Sequence, residues 1–392
     1  MAFTALLIFV TVRSVGLTEA GILSYAAAVS NLLIVLALFG VRVYQSTDIQ
    51  EKYRFSAYLG LRTVTAGFAS LSIFVFLVIR GFDLYMVSVI LLYFIVFLAD
   101  SYADVFMGDL QQKGKMRIAG RMRVCAFCAA FGAFVTAAFI TRTLITPLLL
   151  TGVSAIIVYI SWIWFYRNHF GKVRVKVDVS AIKNLISATL PLVLINLLFT
   201  FLHNAQKYYL EALDSFEAVA VYAILIQPIM LLSTFSSVFF MGAEMTKTAE
   251  IFAMEDMKLL TKRVNRQILL AVAMAAAFML CAYLFGIPLM SWVYGIDLSF
   301  YTREFLLMAL GGASTTVMSV LYACLVVMRK QVSVLVCLII ATAISGPVMW
   351  VLVSRYGISG AALSTLVIFV PLTVFCLVGY RLSIKKQSAA KA

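Results

Sequence analysis

Residues 144–176 read LITPLLLTGVSAIIVYISWIWFYRNHFGKVRVK. No charged side chain occurs from Leu144 to Tyr166, and the next ten residues bring Arg167, Lys172, Arg174 and Lys176. As a helix the apolar part would rise about 34 Å, enough to cross a hydrocarbon core of about 30 Å. The cations that follow are what the cytoplasmic side of a membrane segment collects. This stretch therefore predicts both the solvent of the chain and its orientation.

Working outward, the same pattern recurs on either side. Before it lie apolar runs from Ala2 to Val12, Ile22 to Val41, Leu59 to Ile79, Tyr85 to Phe106 and Val124 to Thr141. After it come Leu185 to Gln206, Ala218 to Met241, Ile268 to Met290, Phe305 to Met328, Val332 to Ser354 and Ile358 to Tyr380. The expectation is an all-α polytopic membrane protein of twelve spans. Composition agrees: 64% of the 392 residues are apolar and 12% charged, against about a quarter charged in soluble domains.

The net charge of +14 would suggest nucleic acid as a partner of a soluble protein. Here it reads as topology, and no nucleic-acid partner is expected. Six of the 31 Lys and Arg (Arg13, Arg80, Arg142, Lys207, Arg303 and Arg355) fall on one face. The other 25, among them Arg42, Lys52, Arg62, Arg123, Lys247, Arg263 and Lys391, fall in every second loop or the C-terminal tail. By the positive-inside rule both termini are cytoplasmic. The basic linker from Arg167 to Lys183 divides the spans six and six, giving an N-terminal half over residues 1–180 and a C-terminal half over 181–392. Tyr25-Ala26 with Asn31, and Tyr222-Ala223 with Gln227, are a weak internal repeat between the halves.

Span 1 has about a dozen residues, about 18 Å of helix and short of a crossing. It lacks the basic start and cleavage site of a signal peptide. The loop from Gly242 to Gln267, with Glu244, Lys247, Glu250, Glu255 and Lys258, suggests an interfacial helix. No phosphate-binding loop, zinc-protease motif or nucleophile elbow is present, so neither enzyme chemistry, a cofactor nor ATP is expected. With only His169 and His203 to assist, the six cysteines read as small packing residues and not as metal ligands.

Polar residues near the membrane are then the candidates for function, because charge in hydrocarbon is costly and tends to face a cavity. His203, Asn204, Gln206 and Lys207 stand together in span 7. Lys207 either attracts an anionic head group or snorkels and pairs with Glu211 one turn on. Arg13 and Arg42 either hold phosphate bidentately or anchor helix ends. Asn31 and Gln227 are the uncharged amides of spans 2 and 8. Asp100 and Asp104 either relay protons or bind cations, or else bridge to the basic cluster that follows.

Several stretches carry a resemblance: Arg13-Ser-Val-Gly16-Leu-Thr-Glu19-Ala-Gly21, Leu38-Phe39-Gly40-Val41-Arg42-Val-Tyr-Gln45-Ser-Thr-Asp48, and Lys52-Tyr53-x-Phe55-x-x-Tyr58-Leu59. Asp104-Val105-Phe106-x-Gly108, Gln111-Gln112-Lys113-Gly114, Asn204-Ala205-x-Lys207-Tyr208 and Gly357-Ile358-x-Gly360-Ala361-Ala362 continue it. In order, these resemble the polysaccharide transporter branch, including O-antigen flippases, of the multidrug/oligosaccharidyl-lipid/polysaccharide (MOP) superfamily. The resemblance implies a V-shaped pair of six-helix lobes around a cationic cavity in the cytoplasmic membrane. Its implied cargo is an undecaprenyl-pyrophosphate-type lipid-linked oligosaccharide, flipped by alternating access without ATP for surface polysaccharide and lipopolysaccharide assembly. Arg13, Arg42, Asn31, His203, Asn204, Lys207 and Gln227 would line the cavity, with no catalytic or metal residue. Membrane lipid, and the polymerase or glycosyltransferases of the same pathway, are the implied partners. A cation-coupled multidrug antiporter of the same superfamily is the competing expectation.

Overall fold

The computed structural model describes residues 2–48, 52–170, 179–241, 243–254 and 256–389. Glu51, Glu255, Gly242, Lys391 and the linker cations Lys172, Arg174 and Lys176 lie outside the described residues. Within them all regular structure is helical. Ten helices are long and apolar enough to cross a membrane. One, α14 (Gln331–Ala389), runs 59 residues and breaks at Gly357, where φ is 53°. Its length, about 88 Å at helical rise, is two crossings, so the break separates spans 11 and 12 where the sequence places them. The short apolar helix α1 (Ala2–Ser14) takes the first place.

The chain forms two compact units, Phe3–Phe201 and Leu202–Ala392, with the first two residues grouped with the second. In the N-terminal unit α1 is followed by α2 (Leu17–Leu38), α3 (Val41–Thr47), α4 (Phe55–Arg80), α5 (Leu84–Gln112), α6 (Met116–Thr141) and α7 (Ile145–Phe165). Helix α8 (Val179–Leu213) carries the division between units. The C-terminal unit continues with α9 (Phe216–Met241), α10 (Ala243–Ala253) and α11 (Met257–Cys281). A π-helical turn, Ala282–Gly286, leads into α12 (Ile287–Tyr294), then α13 (Thr302–Val327) and α14.

Each unit is turned outward in the sense expected of hydrocarbon solvent. Ile79 and Leu84 are among the most exposed side chains, at 77% and 81%, while Arg62, Gln45 and Asp109 are buried. Small residues bring the helices close. In α2 every residue from Ala20 to Ser30 is buried, and in α9 every residue from Ala218 to Ile226. Both runs end at an amide, Asn31 and Gln227, each half-buried. The faint sequence repeat thus has a counterpart in burial: α2 packs on α4 and α5, and α9 on α13.

Several helices extend beyond the spans read from sequence, and at two of the boundaries that differ the cause is local. Helix α2 stops at Leu38 because Phe39 and Gly40 both turn left-handed, at φ 42° and 63°. Helix α11 begins at Met257, well before Ile268, because the Asp256 side chain accepts from the Leu259 amide at 2.9 Å and caps it. Its first turns carry exposed Lys258, Lys262 and Arg266, so charge does not mark where the helix starts, only where hydrocarbon does.

The interfacial helix expected in that loop is α10, and it docks on α11. Glu244 accepts from Arg263 at 2.6 Å and from Gln267 Nε2 at 3.0 Å, and Gln267 also reaches Thr248 at 3.3 Å. The Gln267 hydrogen bond lowers the Glu244 carboxyl; burial opposes it, and Arg263 and Lys247 assist, leaving it below its ordinary value. A carboxyl depressed in the folded state stabilises above its unfolded value and stops doing so as pH falls through the depressed one. A spin label at the exposed Ala249 should therefore gain mobility as pH falls through the carboxylate range. In Glu244→Gln, which lacks about 1 kcal/mol of charge-assisted contact, it should be mobile at every pH. Equal mobility curves for the two proteins would show that the contact does not hold α10.

Candidate functional site: two polar clusters

The motif residues of the N-terminal unit converge on the ends of α2 to α5 nearest the basic loops. The break at Phe39–Gly40 leaves the Ala37 carbonyl without its next helical donor. The Arg62 guanidinium takes it up, together with Thr65 Oγ1 at 2.8 Å. Arg62 is fully buried, seven residues into α4, and its Nη2 lies 3.5 Å from Asp104 Oδ2. From the short helix α3, Arg42 Nη1 donates to Asp104 Oδ1 at 2.9 Å, and Nε and Nη2 reach Gln111 at 3.3 Å. Arg123 approaches the same carboxylate at 3.8 Å and pairs with Asp100 at 2.7 Å, while the Tyr159 hydroxyl donates to Asp100 at 2.6 Å.

The loop after α3 is tied to the same place. Asp48 accepts from the Lys52 and Tyr53 amides at 3.0 and 3.1 Å and from the Tyr58 hydroxyl at 2.7 Å. Burial pushes the Asp48 carboxyl up, but these donors and the Lys52 charge outweigh it and hold it below its ordinary range. Its own carbonyl accepts from Gln112 at 2.6 Å. Gln45, fully buried, occupies the space above Gly108 that a Cβ would need. Between them, Arg42, Gln45, Asp48, Tyr53, Tyr58, Asp104, Gly108, Gln111 and Gln112 form a scaffold. Arg42 is engaged by Asp104 and Gln111, with its side chain 29% exposed. Asp100 and Asp104 are ion-paired, Asp100 with Arg123 and Asp104 with Arg42 and Arg62.

The remaining candidates of this unit are not gathered into the scaffold. Arg13 is exposed at the end of α1, and Asn31 is half-buried on α2 beside Ser30, whose hydroxyl has no partner among the described residues.

In the C-terminal unit the polar stretch of α8 is sequestered. Lys207 is 7% exposed, Asn204 9% and Gln206 1%. Among the described residues no carboxylate lies in ion-pair range of Lys207, Glu211 included. Both polar atoms of Gln206 likewise lack a partner there. His203 and Asn204 precede Lys207 by four and three residues, so helical spacing puts them on its face. The His203 ring packs 4.7 Å from that of Phe369. Gln227 is half-buried on α9, immediately before Pro228.

Two buried charges escaped notice as individual candidates. By the sign of its charge alone Arg62 reads as one more helix-end cation. Glu304, in the first turn of α13, is 8% exposed and accepts from Ser359 at 2.6 Å, with Oε2 unpartnered among the described residues. The usable signal for Arg62 was its place inside an apolar run with one acid, Asp104, at the matching depth of the neighbouring span.

The fold so described is similar to that of a multidrug resistance MATE family transporter of the MOP superfamily in an inward-facing conformation. The TM-score is 0.77 at 13% identity, over 100% of this chain and 95% of that one. It is similar also to the lipid II flippase MurJ in an inward closed conformation, at 0.69 and 13% identity over 98% and 87% of the two chains. A MOP superfamily transporter from Pyrococcus furiosus, whose binding pocket is characterised by reverse polarity, matches at 0.60 and 13% identity over 100% and 93%. No protein-family model matches the chain, and no curated protein matches it. At such identities the likeness is one of fold. The chain is an all-helical, multi-pass protein of the cell membrane with the fold of these transporters.

Proposed function

We propose that the chain flips a polyprenyl-pyrophosphate-linked oligosaccharide across the cytoplasmic membrane, by alternating access and without ATP, for surface polysaccharide assembly. The observation that carries this reading is Lys207, a sequestered ammonium with no carboxylate in reach among the described residues. A buried charge is expensive unless paired. An anionic head group supplies the counter-charge that the protein withholds, and Asn204, His203 and Gln227 supply hydrogen bonds for its sugars. The enzymes that load and polymerise the carrier-linked glycan would be partners of the same pathway.

The competing reading, a cation-coupled multidrug antiporter, is favoured by the half-satisfied buried carboxylate of Glu304. One experiment separates the two. In proteoliposomes with a fluorescent polyprenyl-pyrophosphate saccharide quenched from outside, Lys207→Ala should slow translocation about 10–100-fold. That is the loss of one charge-assisted hydrogen bond out of water. Lys207→Arg should retain part of the rate, and the native protein and Glu304→Gln alike should leave cationic dye uptake at the background of empty liposomes. Translocation unaffected by Lys207→Ala, with dye uptake that depends on Glu304, would move the assignment to the antiporter.

A further inference from the structure

The outer surface of the C-terminal unit holds an apolar recess of about 630 Å³. It exists because three irregularities meet. Pro228 interrupts α9, the π-helical turn Ala282–Gly286 widens the helix between α11 and α12, and Pro288 follows at the start of α12. Phe305 of α13 closes the floor, buried to 1% and lying where a Cβ on Gly286 would have to be. π-Helical turns of this kind recur at functional sites.

The lining side chains are hydrocarbon apart from two sulfurs, the thioether of Met290 and the thiol of Cys281, which is exposed. Around it Leu280, Tyr283, Leu289 and Trp292 are 56–77% exposed, a surface whose solvent in the membrane is lipid. Sugar, phosphate and water find no partner there. A chain of hydrocarbon does, and the volume lies in the range of ligand sites. Pro228 joins the recess to the polar candidates. The preceding residue is Gln227, and successive residues of a helix point about 100° apart. One side of α9 thus offers an amide and the adjacent side an apolar wall.

We infer that the recess seats the isoprenyl chain of the lipid-linked cargo while its head group is held by the polar residues, an inference that rests on the flippase reading above. Two prolines, a π-helical turn and the rings of Phe278, Phe285 and Phe305 make the walls uneven, a relief that the methyl branches of a polyisoprenyl chain fill better than a straight acyl chain does.

The test uses the full chain in liposomes with Cys125→Ser and Cys128→Ser, which leave Cys281 as the exposed thiol. A polyprenyl phosphate with a photoreactive terminal isoprene is crosslinked and the adduct mapped. The expected adducts lie between Phe278 and Leu289, are displaced by unlabelled polyprenyl phosphate, and coincide with protection of Cys281 from alkylation. Cys281→Trp, which overfills the recess, should lower labelling about tenfold and slow flipping of long-chain cargo more than that of a two-isoprene analogue. Adducts elsewhere, or equal labelling by a photoreactive phospholipid that polyprenyl phosphate does not displace, would overturn the inference. Labelling of the recess in a protein that flips no saccharide would leave the isoprenyl site standing and remove the flippase reading instead.

Discussion

Replacing Asp104 with alanine is expected to lower the unfolding free energy by about 3–5 kcal/mol, the cost of stranding a buried charge. Asp104 faces Arg62, which is wholly sequestered, and Arg42, which is not. Without the carboxylate, Arg62 keeps the Ala37 carbonyl as partner but has no counter-charge except the more distant Asp100. The loss should therefore be largely recovered in the double variant Asp104→Ala, Arg62→Met, where the cation is gone as well. Arg42→Ala should cost far less, since its side chain is 29% exposed and partly solvated pairs contribute about 1 kcal/mol or less. Thermal unfolding in detergent, followed by intrinsic fluorescence, ranks the four proteins. A loss below about 1 kcal/mol for Asp104→Ala would place the pair with exposed ones and mean that water reaches Arg62.

The second large effect is steric. A Cβ on Gly360 would overlap the Leu352 carbonyl and sit 3.0 Å from the Val353 nitrogen. These are backbone atoms of the preceding span, just across the Gly357 break, and they cannot rotate away as a side chain does. Gly360→Ala is expected to destabilise by about 3 kcal/mol, at the upper end of overpacking. Gly67 provides the control. It is also helical, and a Cβ there meets nothing within 4 Å. Gly67→Ala should be neutral or stabilising by up to about 1 kcal/mol, the helix-propensity difference. If both alanine variants melt with the native protein, the backbones of spans 11 and 12 do not meet closely at Gly360, and the turn at Gly357 is wider than that contact requires.

The spans were legible because a hydrocarbon solvent suppresses charge over lengths that a short window detects, and the charged loops supplied an independent test. Spans 11 and 12 separated in the sequence because Arg355 interrupts the apolar run between Ser354 and Ile358; that Gly357 makes the break, and is not a packing surface alone, took the backbone to show. Less was legible at the polar sites. Charge sign alone does not separate Arg62, which braces a carbonyl inside the unit, from Arg54, which starts a helix at its edge. The difference lies in which residues of α2 and α5 come to the same depth, and that is tertiary. The motifs Gln45-Ser-Thr-Asp48 and Asp104-Val105-Phe106-x-Gly108 were visible as text, but their sense, a side chain of one filling the gap left by a glycine of the other, needed the packing. Lys207 was legible as an unusual residue because it breaks an apolar run; the absence of a carboxylate beside it among the described residues was not.

Arg62 also bears on how the chain is made. Its ionic partner follows it by 42 residues, roughly 2–8 s later at ribosomal speeds of 5–20 residues per second. Through that interval α4 enters the membrane with a cation that hydrocarbon disfavours. The Ala37 carbonyl, already synthesised and already released by the turn at Phe39 and Gly40, is available from the start. The interruption of α2 thus gives the newborn arginine a place to wait, and the order of synthesis, α2 before α4 before α5, is the order in which its partners are needed.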